Sequence, residues 1–180
     1  MNNILILYAH PQGRRSAVNG RLIAAAAAAG VAIHDLYERY PDYDIDARAE
    51  QDALRAAELV VCQYPTYWYR PPALFQLWIE MVLTSGWAYG PGGAALVGKH
   101  FWCVTTTGGA QSAYAADGIH GFDYETFLAP LVQTVRLCGM HWLPPWIIHG
   151  APQLSSAELQ DWVARYRDRL TRYPAWLTAA

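Results

Sequence analysis

Tyr114 and His120 stand six positions apart in the segment TTTGGAQSAYAADGIHG, residues 105–121. A phenol and an imidazole can both donate hydrogen bonds to charge that appears on a bound group. Gly108 and Gly109 expose two backbone amides just before them, because no Cβ blocks close approach. In isolation, a tyrosine and a histidine in a loop are more often plain surface residues. Their claim to chemistry depends on what the chain folds beside them. The segment follows HFWCV, residues 100–104, a short apolar run that reads as a buried strand.

Two other segments offer donors or flat surfaces. AHPQGRRSAVN, residues 9–19, leaves a strand and opens a helix, with Ser16 where an N-cap belongs and Asn19 in the first turn. A helix start with free N–H groups holds phosphate well, although neither GxxxxGK[ST] nor GxGxxG is present. On these residues alone, ordinary helix capping is the plainer account. His10 suits a satisfied core position and a ligand contact equally. PTYWYRPP, residues 65–72, sets Tyr67, Trp68 and Tyr69 in a row between prolines. Three consecutive aromatics at the end of a buried strand cannot all face the core. They make a stiff wall for a flat conjugated ligand or, alternatively, a dimer surface.

Strand and helix patterns alternate along the chain. Strands are expected at 3–10, 31–37, 58–65, 98–106 and 140–150, the last with Pro144-Pro145 inside it. Helices are expected at 16–30, 46–57, 71–83, 122–139 and 155–173. The pattern predicts an α/β fold with a doubly wound five-stranded parallel sheet, whose near-continuous apolar strands are covered on both faces. The economical strand order is 2-1-3-4-5, with a ligand crevice at the carboxyl ends of strands 1 and 3. The three unusual loops follow strands 1, 3 and 4, so they share one rim. A single domain over 1–180 accommodates all of this.

Composition narrows the function. A net charge of −2 offers no basic face for nucleic acid. Eight Trp and twelve Tyr must fill a core, line a pocket or bury a subunit interface. Cys62, Cys103 and Cys138 are isolated in apolar runs, without metal-ligand spacing, and are expected as buried thiols with no metal site. No apolar run reaches the roughly 20 residues of a membrane span. The chain enters its first strand without a signal peptide, so a cytoplasmic location is expected.

Together the loops describe a phosphate anchor, an aromatic wall and an amide-rich edge, the parts that a flavin mononucleotide requires. YAHP (8–11), SAVN (16–19), PTYWYRPPALFQLWIE (65–80), TTGG (106–109), Tyr114 and GIHG (118–121) resemble, in order and spacing, the flavodoxin-like NAD(P)H:quinone oxidoreductases, the DT-diaphorase family. The likeness covers nearly the whole chain. LYERYPDYDIDARAEQDAL, SGWAYGPGGAALVGKH and GMHWLPPWIIHG resemble the short bacterial branch, which includes ancillary subunits of glutathione-gated potassium efflux systems. The resemblance implies FMN, with FAD as runner-up, and NADH or NADPH as co-substrate.

By position, the resemblance assigns His10, Ser16, Ala17, Val18 and Asn19 to the flavin phosphate and ribityl chain. Thr66, Tyr67, Trp68 and Tyr69 fall along the ring system, and Thr106, Thr107, Gly108 and Gly109 at its pyrimidine end. Tyr114 and His120 match the tyrosine and histidine that assist hydride transfer from the nicotinamide to the flavin and from the flavin to a quinone, which implies a ping-pong scheme. The family also implies a homodimer, expected here through Trp78, Trp87 and Tyr89. Two alternatives stand beside the enzyme: a regulatory subunit of a potassium efflux antiporter, peripheral on the inner membrane, and a flavodoxin-type electron carrier. The carrier normally has a strongly acidic face, which a net charge of −2 disfavours.

Overall fold

The computed structural model describes residues 3–178, without the side chains of Arg14 and Thr178. The element order is β1 (Ile4–Tyr8), α1 (Ala17–Ala28), β2 (Ala32–Asp35), α2 (Leu36–Arg39), α3 (Ala47–Ala56), β3 (Leu59–Pro65), α4 (Ala73–Val82), β4 (His100–Thr106), α5 (Ala129–Leu137), β5 (His141–Trp142), β6 (Trp146–Ile148) and α6 (Ser156–Thr171). The sheet is ordered β2-β1-β3-β4-β5, with β6 also on β4, and every pairing is parallel. The expected 2-1-3-4-5 order therefore holds.

Residue parity divides the strands between two cores, because successive side chains leave a strand on opposite faces. Leu5, Leu7, Val60, Cys62, Tyr64, Phe101 and Cys103 pack with Leu54 of α3, Leu74, Phe75 and Trp78 of α4 and Val135 of α5. Ile4, Ile6, Tyr8, Leu59, Val61, Trp102 and Val104 pack with Val18 and Leu22 of α1 and Leu159, Tyr166 and Leu170 of α6. All three cysteines are buried and free.

Three boundaries differ from expectation, each for a local reason. The second strand ends at Asp35 rather than 37, because its carboxylate accepts from the Tyr37 and Glu38 amides and starts α2. The segment 122–139 begins as a 3₁₀ turn, Tyr124–Leu128, and becomes α-helical only at Ala129. The fifth strand is broken at 143–145, where Pro144 and Pro145 have no N–H to give to a ladder. Both fragments still pair with β4, through Phe101↔Trp142 and Thr105↔Ile147.

Trp78 also lies elsewhere than expected. Its ring is buried in the chain's own core and its Nε1 donates to Glu50 Oε2 at 3.0 Å. It therefore forms no part of an outer dimer face. Glu50 is 0% exposed and also takes His34 Nδ1 at 2.9 Å, Tyr40 OH at 2.7 Å and Arg39 Nε at 3.2 Å. Burial alone would raise this carboxyl. The bonds from His34, Tyr40 and Trp78 outweigh it and hold the carboxyl below its ordinary value.

Candidate functional site

Parallel order brings the ends of β1, β3 and β4 to one rim, and hydrogen bonds lace their loops together. The Ala9 amide donates to Gln63 O at 2.9 Å and the Thr66 amide to Thr106 O at 2.8 Å. Asn19 Nδ2 donates to Thr106 Oγ1 at 3.0 Å, and Gln63 Nε2 donates to Asn19 Oδ1 at 3.3 Å. Tyr166 OH completes this buried chain by donating to Gln63 Oε1 at 2.8 Å. The Asn19 side chain is therefore engaged in fixing loop one against loop three. On the opposite face of the sheet, Thr66 Oγ1 meets Thr105 Oγ1 at 2.9 Å and bonds the Tyr124 hydroxyl.

The first loop ends in a true helix cap. Ser16 Oγ accepts from the Asn19 amide at 3.1 Å, and the Ala17 and Val18 amides have no acceptor among the described residues. His10 is buried and its Nδ1 accepts from the Gln12 amide at 3.0 Å. Burial lowers the His10 pKa, so the ring is neutral and its proton sits on Nε2, which has no acceptor among the described residues. The Tyr8 hydroxyl is buried and, among the described residues, without a partner, beside a groove of about 600 Å³ that Gly13, Ser16 and Ala17 also line.

The second loop is a tight hairpin turn. Tyr67 and Arg70 exchange backbone hydrogen bonds at 2.9 and 3.0 Å, while Trp68 (φ 49°) and Tyr69 (φ 65°) occupy the left-handed region. Two positive φ angles at the turn centre are normally filled by Asn-Gly. Holding bulky side chains there costs on the order of 1–3 kcal/mol each, a kind of strain that clusters at ligand clamps and active sites. Trp68 is moreover 89% exposed. Tyr69 is held by Phe127, with ring centroids 4.8 Å apart, and its hydroxyl reaches His120 Nδ1 at 3.2 Å.

The third loop explains the spacing of its tyrosine and histidine. Gly118 turns so tightly that a Cβ would lie 2.5 Å from Ala113 O. That turn lets the His120 amide donate to Ala113 O at 3.1 Å and stacks the His120 ring on Tyr114, centroids 4.3 Å apart. Burial, as the largest influence, raises the Tyr114 phenol, which keeps its proton as a donor. Thr107 Oγ1 donates to Gly109 O at 2.8 Å and therefore accepts from His149 Nδ1 at 3.1 Å. The Gly150 amide also donates to Gly109 O, at 2.8 Å. With the carbonyl so occupied, the Gly108 and Gly109 amides remain without acceptors among the described residues.

The candidate residues of the three loops, His10 to Asn19, Thr66 to Tyr69, Thr106 to Gly109, Tyr114 and His120, lie on this rim. The hydroxyls of Thr66, Thr106 and Thr107 are spent within the chain, whereas among the described residues the amides of Ala17, Val18, Gly108 and Gly109, together with His10 Nε2, have no acceptor. Sequence reasoning missed Tyr8, Gln63, Tyr124 and His149, the residues that brace the loops or face a groove behind them. Gln63, a lone amide inside an otherwise apolar strand, was the available signal. The described residues hold no group of His, Cys, Asp or Glu suited to a metal ion, and no helix long and apolar enough to cross a membrane.

Comparison with known proteins follows the same outline. A family model for the flavodoxin-like fold matches residues 2–170. The glutathione-regulated potassium-efflux system ancillary protein KefF of Salmonella heidelberg (strain SL476) is 44% identical over 168 residues, covering 93% of this chain and 94% of its own. General stress protein 14 of Treponema denticola, solved in complex with FMN, superposes with a TM-score of 0.84 at 34% identity over 98% of both chains. An NADPH-quinone reductase from P. pentosaceus gives 0.86 at 28% identity, over 96% of this chain and 99% of its own. A thermophilic tryptophan halogenase gives 0.90 at 34% identity, over 93% and 98%, so the fold by itself does not name a substrate. With 2–170 matched and close likeness to an efflux ancillary protein and a quinone reductase, the chain belongs to the flavodoxin-like family.

Proposed function

We propose that this chain is an FMN-dependent NAD(P)H:quinone oxidoreductase, with FAD as the second choice of flavin and NADH or NADPH as electron donor. The observation that carries the proposal is the set of unpartnered donors on one rim: the first amides of α1, the Gly108 and Gly109 amides and His10 Nε2. They fit a flavin because a phosphate suits the helix start, and amides without acceptors suit a carbonyl edge. When bound, the flavin supplies two-electron redox chemistry, taking hydride from a nicotinamide and delivering it to a quinone that follows in the same slot.

The chain's own residues position and stabilise. Ser16 Oγ and the Ala17 and Val18 amides hold the phosphate. The strained turn at Trp68 and Tyr69 presents a flat apolar wall and excludes water from the ring. The Gly108 and Gly109 amides and the Tyr114 hydroxyl donate to negative charge that develops at the edge they face. His120, stacked on Tyr114 and oriented by Tyr69 OH, supports the same charge. Removing one well-placed donor of this kind costs about 3 kcal/mol of transition-state stabilisation in other enzymes.

A homodimer belongs to the proposal. A cleft of about 820 Å³ beside the rim, lined by Trp68, Tyr69, Ile79 and Phe127 together with the polar Arg70 and Glu80, is the surface a second copy would cover. Light scattering at micromolar concentration tests this, and a 20.1 kDa species there contradicts it. The second reading, a regulatory subunit docked at the cytoplasmic face of a membrane on a potassium efflux antiporter, is favoured by the 44% identical ancillary protein. The two roles are compatible. Anaerobic stopped-flow mixing of the flavin-loaded chain with NADH and with NADPH decides for the enzyme. Rapid bleaching by either supports it, and a flavin that stays oxidised with both leaves the regulatory role alone.

A further inference from the structure

Arg165 and Arg169 leave α6 one turn apart and enter a row of tryptophans. The Arg165 guanidinium carbon lies 4.5 Å from the Trp162 ring centroid and 5.4 Å from that of Trp146. The Arg169 carbon lies 5.4 Å from Trp146, 4.2 Å from Trp176 and 5.5 Å from Trp102. Two cations therefore share the Trp146 ring. Arg165 and Arg172 each have an exposed aspartate one turn back, Asp161 at 3.2 Å and Asp168 at 3.4 Å. Arg169 is more enclosed than either and has no carboxylate partner among the described residues.

Tryptophan faces cover the flat sides of a guanidinium but do not satisfy its N–H donors, which point outward in its plane. Burial first, and then repulsion from Arg165, push the Arg169 guanidinium below its ordinary value, the mark of a charge lacking a counter-ion. A groove of about 540 Å³ opens there, lined by Trp146, Arg165, Asp168, Arg169, Arg172 and Trp176. Its volume is within the range of about 300–1,000 Å³ usual for small-ligand sites. Just beyond α6, Tyr173 OH bonds His100 Nδ1, at the start of β4, at 2.9 Å. The groove thus lies toward the amino edge of the sheet, away from the rim where the flavin is assigned.

We propose that this groove is a second ligand site, for a small soluble organic anion. A carboxylate or phosphate is held by the edges of Arg165, Arg169 and Arg172, and its apolar body lies against Trp146 and Trp176. The three guanidiniums exceed the two aspartates by one positive charge, so an anion is the species the groove lacks. Clamping the C-terminal segment, in which Trp176 Nε1 donates to Arg169 O at 2.8 Å, uses that carbonyl and leaves the Arg169 guanidinium without a carboxylate among the described residues.

The test uses the full chain with FMN present, to occupy the rim, and follows arginine Nε–Hε resonances by NMR. The probes are phenyl phosphate, inorganic phosphate and benzyl alcohol. Phenyl phosphate should shift the Arg165, Arg169 and Arg172 signals with a Kd of about 1 mM or tighter, inorganic phosphate should bind roughly tenfold more weakly, and benzyl alcohol should not bind. Arg172→Gln, at an exposed position that leaves the tryptophan row intact, should weaken phenyl phosphate about tenfold, the cost of one charge-assisted bond. Arg169→Lys keeps the charge, loses the fork and should weaken it as well. Unmoved arginine signals, or parent-like binding by both variants, would overturn the proposal. So would equal binding of inorganic and phenyl phosphate, or binding to phosphatidylglycerol vesicles without any response to the soluble probes.

Discussion

The Glu50 cluster and the carboxyl rim are both rich in polar groups, and they settle their hydrogen bonds in opposite ways. At Glu50, His34, Arg39, Tyr40 and Trp78 converge on one fully buried carboxylate. These contacts tie together β2, α2, α3 and α4. At the rim, threonine hydroxyls and Asn19 are consumed in bracing the loops, while amides and a histidine N–H stay open among the described residues. Polarity resolved inside the chain builds architecture. Polarity left open beside a strained, exposed aromatic turn points to something that must arrive.

The largest effect expected from this contrast is on folding. Glu50→Ala leaves three buried or half-buried donors, His34, Tyr40 and Trp78, without their acceptor and should cost about 3–5 kcal/mol in urea unfolding. Flavin stoichiometry should not change. A variant as stable as the parent would remove the contrast at its structural end.

The next effect is catalytic. Tyr114→Phe and His120→Gln should each slow flavin reduction by NAD(P)H roughly tenfold to a thousandfold, with FMN affinity nearly unchanged, because their donors act on charge absent from the ground state. Single-turnover kinetics under nitrogen separates this half-reaction. Reduction at the parent rate in both variants would make the stacked pair structural.

Smaller again is the cap. Ser16→Ala should cost about 1 kcal/mol of stability and weaken FMN by about tenfold, with riboflavin, which has no phosphate, nearly unaffected. Equal losses for both flavins would detach α1 from the phosphate.

The smallest effect is on the acid limb of stability. Glu50 is held below its ordinary value of 4.5, so its contribution is fully present above that pH and is lost as pH falls through the lowered folded value. Glu50→Gln should lose stability at pH 7 and show a shallower decline of Tm below pH 4.5. An unchanged acid slope would assign acid unfolding to other carboxylates.

Much of the fold was legible because local signals agreed. Ser16 and Ser155 cap helices as their residue types suggest, Gly30 follows α1 with a positive φ, and apolar runs became parallel strands. The rim was legible because Gly108-Gly109, the aromatic run and the Ser16 cap each end an apolar strand. What stayed hidden depends on long-range direction. Trp78 reads as an aromatic available to a partner, yet the helical turn that carries it points its indole at Glu50, twenty-eight residues earlier. Asn19 reads as a ligand contact until Gln63 and Thr106 are found to occupy it. The left-handed turn at Trp68-Tyr69 is concealed by its own residue types, since neither favours positive φ.

Titration of the flavin-free chain with FMN tests the account most directly, because the open donors of the rim are its central evidence. Equilibrium dialysis should give one FMN per chain, held more tightly than riboflavin, with the excess affinity lost in Ser16→Ala. Failure to take up either FMN or FAD at concentrations up to about 100 μM would contradict the assignment of the rim to a flavin.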